Sequence, residues 1–471
     1  MAFNQSNQTQ KLEEDTALMI PLSPASQTFS SPIISFNTFC VVELETLLDE
    51  FETTEIIRNL FLPLNARFSS IIHFNEKGVP CWKKVDVRVE DHIIVPTFPK
   101  GLSTIEYYNE CLQEYLAKIA AEPLSSNRPL WEVHVVKYPT LYGKGSVVFK
   151  FSHALGDGYS MVSVLFTVFK RADDPSRPLT LPDMSLSPYG GKKSLWTYVS
   201  KCINTISDIA SSALKGSILE DSKSAIRSGK LGVEFEPIAI SSINISMDRV
   251  KQVKLKLGGT INDVITGVIY YTIHLYMVKK GDISAEKSMN LVMAFNTRML
   301  QGYKSIEEML RANVWGNHVA LLLVPIPCIS GEQKVDPLYF VTKAKEIMDK
   351  KKNSMFTYLS DSMNKLLRAT KGIKGVTEFL YANLRNSSTT VTSLIGPKEK
   401  MALAGHPVGS INFFMSGVPQ SLVLSAMSLT GQLRLTATVE KNFIDSKVFN
   451  SCMKEAFENI FDAACGAGTT S

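Results

Sequence analysis

The stretch Ser152-His153-Ala154-Leu155-Gly156-Asp157-Gly158 holds the residue types most able to do chemistry in this chain. Imidazole titrates near neutrality, so His153 can take a proton from an alcohol and pass it to a leaving group. Asp157 directly precedes an apolar run. A short carboxylate there caps free backbone N–H groups or binds an arginine, so its expected role is to hold the turn, not to move protons. Gly156 and Gly158 permit a sharp reversal. The spacing alone also suits a histidine satisfied within a core, so the surrounding elements must decide.

Those elements are legible. Val147, Phe149 and Phe151 alternate with Val148, Lys150 and Ser152, which predicts a strand. Met161, Val164, Leu165 and Val168 follow at helical spacing. A strand, a tight turn and a helix would leave His153 just past a strand end, where a rigid backbone presents a side chain to a cleft.

The 471 residues favour two or three domains, at roughly 100–200 residues each. From Pro21 to the mid-180s, β-rich runs alternate with amphipathic helices expected at 41–51 and 105–122. Pro175, Pro178, Pro182, Pro188 and Gly190-Gly191 then break regular structure. A second α/β unit runs from about Glu236, with a helix over 262–278, buried strands at 291–295 and 319–326, and a hairpin over 422–440. The expected division is 1–185, a linker at 186–235, and 236–471. Within the linker Leu195, Val199, Cys202, Ile206, Ile209, Ala213 and Leu214 form an apolar stripe, while Lys201, Asp208 and Lys215 lie on another face. With Trp196, Tyr198 and Lys192-Lys193 beside it, this helix either packs on the protein body or lies in a bilayer interface.

Composition narrows the rest. Hydrophobic residues make up 45% and charged residues 20%, which excludes a mostly disordered chain. Fifty Lys and Arg against forty-five Asp and Glu give a net charge of +5, too thin for nucleic-acid binding unless clustered. Seven scattered cysteines without a CxxC pair predict reduced thiols and no structural metal. The polar N-terminus has no apolar core of a signal peptide, and no run of about 18 apolar residues predicts a membrane span. Membrane contact is expected to be peripheral.

The turn containing His153 resembles the HHxxxDG motif of the wax ester synthase/diacylglycerol O-acyltransferase family, of the plant type. Other segments are similar to that family in the same order: Pro21 to Ser26, Pro129 to Val136, Asn262-Asp263-Val264, Asn296-Thr297-Arg298, Trp315-Gly316-Asn317, Gly396-Pro397 and Gly405-His406-Pro407. The similarity covers nearly the whole chain. One position departs from it: Ser152 stands where the family usually has its first histidine. By alternation that position lies on the opposite strand face from its neighbour and is read as structural.

The resemblance implies an α/β fold of two chloramphenicol-acetyltransferase-like lobes with an active-site tunnel between them. It implies His153 as general base, acyl-CoA as donor substrate, no cofactor and no metal, and a fatty alcohol or diacylglycerol as acceptor. Asp157 supports the motif, and Gly158 and Asn412 are the substrate-binding candidates, with Asn412 or a serine of the 409–417 strand as oxyanion donor. The expected location is the cytosolic face of the endoplasmic reticulum membrane, with the plasma membrane as a second. Arg298 either pairs with Asp157 across the lobes or is solvated. Asn262 and Asp263 are read as helix caps and His406 as a turn residue. His73, His92, His134, His274 and His318 have no catalytic spacing.

Rival chemistries find no support. No GxSxG elbow marks a serine hydrolase, no GxGxxG or GxxxxGK[ST] loop marks a nucleotide site, and no DFGWG-like loop marks a specialised-metabolite acyltransferase. The remaining alternative is a catalytically weakened, lipid-binding paralogue, suggested by Ser152.

Overall fold

The computed structural model describes residues 19–180, 195–282, 287–298, 315–329 and 335–466. Its helices, among these residues, are α1 (Pro24–Phe29), α2 (Glu50–Ile56), α3 (Ile105–Ala121), α4 (Gly158–Val168), α5 (Leu195–Lys215), α6 (Met247–Leu257), α7 (Ile261–Lys279), α8 (Pro337–Lys352), α9 (Phe356–Arg385) and α10 (Ser446–Cys465). Pro182, Pro188, Gly190-Gly191 and Lys192-Lys193 lie outside the described residues, as do the side chains of Trp196, Tyr198 and Val199.

Strands form two large sheets and one small one. In spatial order the seven-stranded sheet is β5 (Ile93–Ile94), β6 (Trp131–Val136), β7 (Gly145–Ser152), β2 (Asn37–Leu44), β14 (His406–Ser416), β13 (Met401–Leu403) and β8 (Lys170–Arg171). The six-stranded sheet is β11 (Val319–Pro325), β10 (Asn290–Asn296), β12 (Thr389–Ile395), β15 (Leu422–Leu429), β16 (Gln432–Glu440) and β9 (Ile238–Ser246). Met19–Pro21, Pro80–Lys84 and Ser70–Phe74 form a three-stranded sheet at the side (β1, β4 and β3).

The helix expected over 41–51 is instead the end of β2, followed by α2. Every residue of β2 is buried. Cys40, Val42 and Leu44 face one core cluster while Phe39 and Val41 face another. A central strand covered on both faces is apolar throughout, and in sequence that looks like a helix stripe. The helix starts only where Asp49 and Glu52 form a capping box.

Sheet membership does not follow covalent order. After β12 the chain leaves the second sheet, and β14 pairs antiparallel with β2. Without β14, β2 would be an open edge with unpaired backbone groups. The two lobes are stitched further by Arg434 of β16, which pairs with Glu43 of β2 at 2.8 Å in a buried setting.

The cores match this layout. One cluster fills the space between the six-stranded sheet and α6, α7, α8 and α10. Two clusters cover the two faces of the seven-stranded sheet. A smaller cluster brings Ile34 and Phe36 against Val292, Leu323 and Val423, so it forms the seam between the sheets.

Candidate active site

His153 emerges from β7 at that seam. Its backbone N–H donates to Phe36 O at 2.9 Å, and Ser152 N–H donates to Leu130 O at 3.0 Å, so strand pairing fixes the position of the imidazole. Ser152 Oγ accepts from Ala154 N–H at 3.3 Å and helps to shape the turn. Phe29 of α1 lies over the imidazole with ring centroids 4.4 Å apart, and Phe36 meets it edge-on. Buried among these rings, His153 is pushed below the ordinary histidine value of 6.5, partly offset by the Asp157 charge. A neutral imidazole is the form that accepts a proton.

Asp157 does more than cap. One carboxylate oxygen accepts from Ser160 N–H at 2.9 Å, which is the helix cap expected from sequence. The other accepts from Arg298 Nη1 at 2.6 Å and from His318 N–H at 2.8 Å. Burial by itself raises this carboxyl, but the Arg298 charge and these hydrogen bonds outweigh it and hold Asp157 below the usual carboxylate range. Arg298 Nη2 in turn donates to Ser160 Oγ at 2.8 Å and to Gly316 O at 2.6 Å. Arg298 is therefore the partner of Asp157, not a solvated surface charge.

The segment 315–318 clasps the turn residue by residue. Trp315 Nε1 donates to Leu155 O at 2.8 Å, Gly316 O accepts from Ser160 Oγ at 2.9 Å, and Asn317 Nδ2 donates to His153 O at 2.9 Å. Arg67 Nη1 also donates to Leu155 O, at 2.7 Å. Asn317 Oδ1 and His153 Nδ1 are buried without a well-aligned partner elsewhere. The amide stands close enough to the imidazole to favour its protonated form. Sequence reasoning used Trp315-Gly316-Asn317 only as a resemblance and gave His318 no role. The signal that could have exposed the segment is its ability to offer donors in succession, but nothing in the sequence says what it faces.

The other candidates sort as follows. Gly156 is sterically required, because a Cβ there would sit 2.9 Å from Ser160 Cβ. Gly158 opens α4, and a Cβ would meet only Leu394, at an ordinary 3.6 Å. Asn412 is buried with an unpartnered Oδ1. On β14 it pairs with Val41, whereas the register line through Ser152 and Asn37 meets β14 at Ser416. Asn412 is thus about 13 Å down the strand from the level of the motif. Ser416, also buried and unpartnered, is in register with Ser152 and so shares the strand face of Ser152, opposite to that of His153.

At α7 the N-cap is Thr260, and Asp263 reaches back to Thr260 N–H at 2.7 Å, so Asp263 serves as the second half of a capping box. His406 follows the tight turn at Gly405 and contacts Thr46 Oγ1 at 2.7 Å. Of the remaining histidines, His134 is buried against Tyr115 and His92 against Trp131, both in the first lobe.

Residues 109–265 match the family model described as wax ester synthase/diacylglycerol acyltransferase catalytic domain, and residues 315–461 match that of the WS/DGAT C-terminal domain. Arabidopsis thaliana wax ester synthase/diacylglycerol acyltransferase 3 is 28% identical over 452 residues, spanning 92% of this chain and 91% of the relative. Wax ester synthase/diacylglycerol acyltransferase 11 of the same plant is 28% identical over 463 residues, spanning 92% and 93%. In three dimensions the chain is similar to the wax ester synthase/diacylglycerol acyltransferase from Marinobacter aquaeolei VT8, with a TM-score of 0.62 at 14% identity over 95% of this chain and all of that one. It is also similar to the first condensation domain of the CDA synthetase, with a TM-score of 0.56 at 14% identity over 96% of this chain and 97% of that one. Identities this low speak for the two-lobed fold alone.

Proposed function

From the premise that this chain belongs to the wax ester synthase/diacylglycerol acyltransferase family, we propose that it moves a long-chain acyl group from acyl-CoA to the hydroxyl of a fatty alcohol, of diacylglycerol, or of both. The observation that carries this reading is the buried imidazole of His153, fixed at a strand end beside Phe36 on the seam between the two sheets. In the proposed reaction His153 Nε2 takes the proton of the acceptor hydroxyl as its oxygen attacks the thioester carbonyl. The tetrahedral intermediate then collapses, the C–S bond breaks, and the CoA sulfur leaves with the proton from His153. The charge on the intermediate's oxygen calls for a donor beside it.

Asp157 and Arg298 stay outside this proton path. Both carry full sets of bonds, and those bonds hold the turn. No cofactor enters the reaction as written.

Substrate physics places the proposed enzyme at a membrane surface. Each buried CH₂ contributes about 0.8 kcal/mol, so a long-chain acceptor resides in the bilayer while acyl-CoA arrives from the cytosol. The cytosolic face of the endoplasmic reticulum, or of the plasma membrane, brings both together. No helix among the described residues is long and apolar enough to cross a membrane.

The test is direct. Purified protein is incubated with labelled palmitoyl-CoA and either hexadecanol or dioleoylglycerol dispersed in detergent, and the neutral lipids are resolved. Wax ester or triacylglycerol should form with wild type and be lost with His153→Ala. Absence of both products from folded wild-type protein would refute the proposal.

A further inference from the structure

Helix α5 turns a mainly polar side inward, with half-buried Ile209 as its contact to the core. The side that meets the protein carries Thr205, Asp208, Ser212 and Lys215, all buried. Each has a defined tie: Thr205 Oγ1 accepts from Met355 N–H at 2.8 Å, Asp208 pairs with Lys351, Ser212 Oγ reaches Asn383 Oδ1, and Lys215 pairs with Asp221. The opposite side faces outward and is uncharged, its large side chains apolar and interspersed with Ser207, Ser211 and Ser217. Ile203 is 61% exposed, Ile206 67%, and Ile218, just past the helix end, 74%, with Ala210 and Leu214 between them. From Cys202 to Leu219 the only charged residues are Asp208 and Lys215, and both are buried.

This arrangement reverses the usual placement of an amphipathic helix on a globular body. Rolling the helix to cover its isoleucines would break the ion pairs and hydrogen bonds beneath it and leave buried charges unpaired, which is strongly unfavourable. The outward face is therefore fixed, and water is a poor neighbour for it.

The flank supplies the sign of the partner. Helix α8 ends on Lys350-Lys351-Lys352. The Lys350 carbonyl accepts from Asn204 Nδ2 at 3.3 Å, so this terminus abuts the same helix. Lys351 is used by Asp208, whereas Lys350 and Lys352 are exposed, Lys352 lying 3.5 Å from Asp349. An uncharged apolar strip edged by cations fits the boundary between acyl chains and anionic headgroups.

We propose that the outward face of α5 docks on an anionic bilayer surface, with Ile203, Ile206, Leu214 and Ile218 at the acyl boundary and Lys350 and Lys352 on the headgroups. This goes beyond the acyltransfer reading, on which it rests only in taking the acceptor to be a lipid.

The experiment is vesicle flotation of the purified full-length protein. Wild type should float with phosphatidylcholine/phosphatidylserine vesicles and less with phosphatidylcholine alone. Ile203→Ser/Ile206→Ser/Ile218→Ser should lower the bound fraction at least about tenfold. Lys350→Ala/Lys352→Ala should lower it only on the anionic vesicles. Acyltransfer to a detergent-dispersed acceptor, and the melting temperature, should be unchanged in both variants. Equal flotation of wild type and the triple serine variant would overturn the docking surface. So would a dimer-to-monomer change on sizing with flotation intact, which would make the strip a contact between copies. Flotation lost in the variant from a protein that transfers no acyl group would sustain the docking and refute the reaction.

Discussion

Arg298 Nη1 lies 2.6 Å from Asp157 Oδ2, and these residues are 141 positions apart in sequence and both only 2% exposed. The pair joins the end of β10 in one lobe to the turn that follows His153 in the other. A buried ion pair adds little net stability over a well-packed apolar pair, but removing one member strands the other.

Helix capping by itself would let asparagine replace Asp157. The ion pair predicts otherwise: Asp157→Asn should lose roughly 3–5 kcal/mol of unfolding free energy. Arg298→Met should lose a comparable amount. The double variant should lose clearly less than the sum, as read from a double-mutant cycle in urea. Strict additivity would mean that the two side chains do not depend on each other.

His153→Ala should lower kcat by roughly 10²–10⁴-fold with the melting curve unchanged. Near-wild-type turnover in a folded variant would remove His153 from the reaction.

Acid should act on both groups in the same direction. His153 is depressed below 6.5, so the neutral form that the proposed reaction requires persists as pH falls to that value, and kcat/KM should decline only below it. Its unfolded form takes up protons first, so its contribution to stability is complete above 6.5 and fades as pH drops through the lower folded value. The depressed Asp157 behaves alike from 3.8 downward. An acid limb centred above 6.5 would contradict this.

Asn317 should act through the imidazole. Asn317→Ala removes the tie to the His153 carbonyl and the amide beside the imidazole, so kcat should fall about tenfold or more with KM little changed. Asn317→Asp keeps the oxygen and adds a negative charge, so it should restore part of the rate and shift the acid limb of kcat/KM upward. A purely structural role would leave that limb in place.

The two glycines should separate. Gly156→Ala meets Ser160 and should destabilise the turn, whereas Gly158→Ala has room and should fold normally. If substrate passes close to Gly158, its alanine variant raises KM with an unchanged melting temperature.

Ser152→His should leave turnover within a few fold, because Ser152 shares a strand face with Lys150 and its Oγ serves the local turn. A large gain in rate would identify this chain as a weakened enzyme.

What the sequence determined by itself is what depends on near neighbours. Strand β7, the Gly-Asp-Gly turn, helices α3 and α7 and the 422–440 hairpin all appear where periodicity and turn residues place them, because pleat, helical repeat and capping act over a few residues. His153 was legible for the same reason: strand, turn and helix are contiguous around it. Tertiary structure decided the rest. β2 took its apolar run as a strand because β7 and β14 cover its edges, and β14 reaches it from almost the far end of the chain. The choice between a solvated and a paired Arg298 and the clasp by 315–318 depend on contacts between segments far apart in sequence. Helix α5 shows the limit most clearly. Its amphipathic character was written in the residues, but the expected stripe was split, Ile209 turning to the core and Ile206 outward, by ties to Lys351, Met355 and Asn383, whose positions no local pattern encodes.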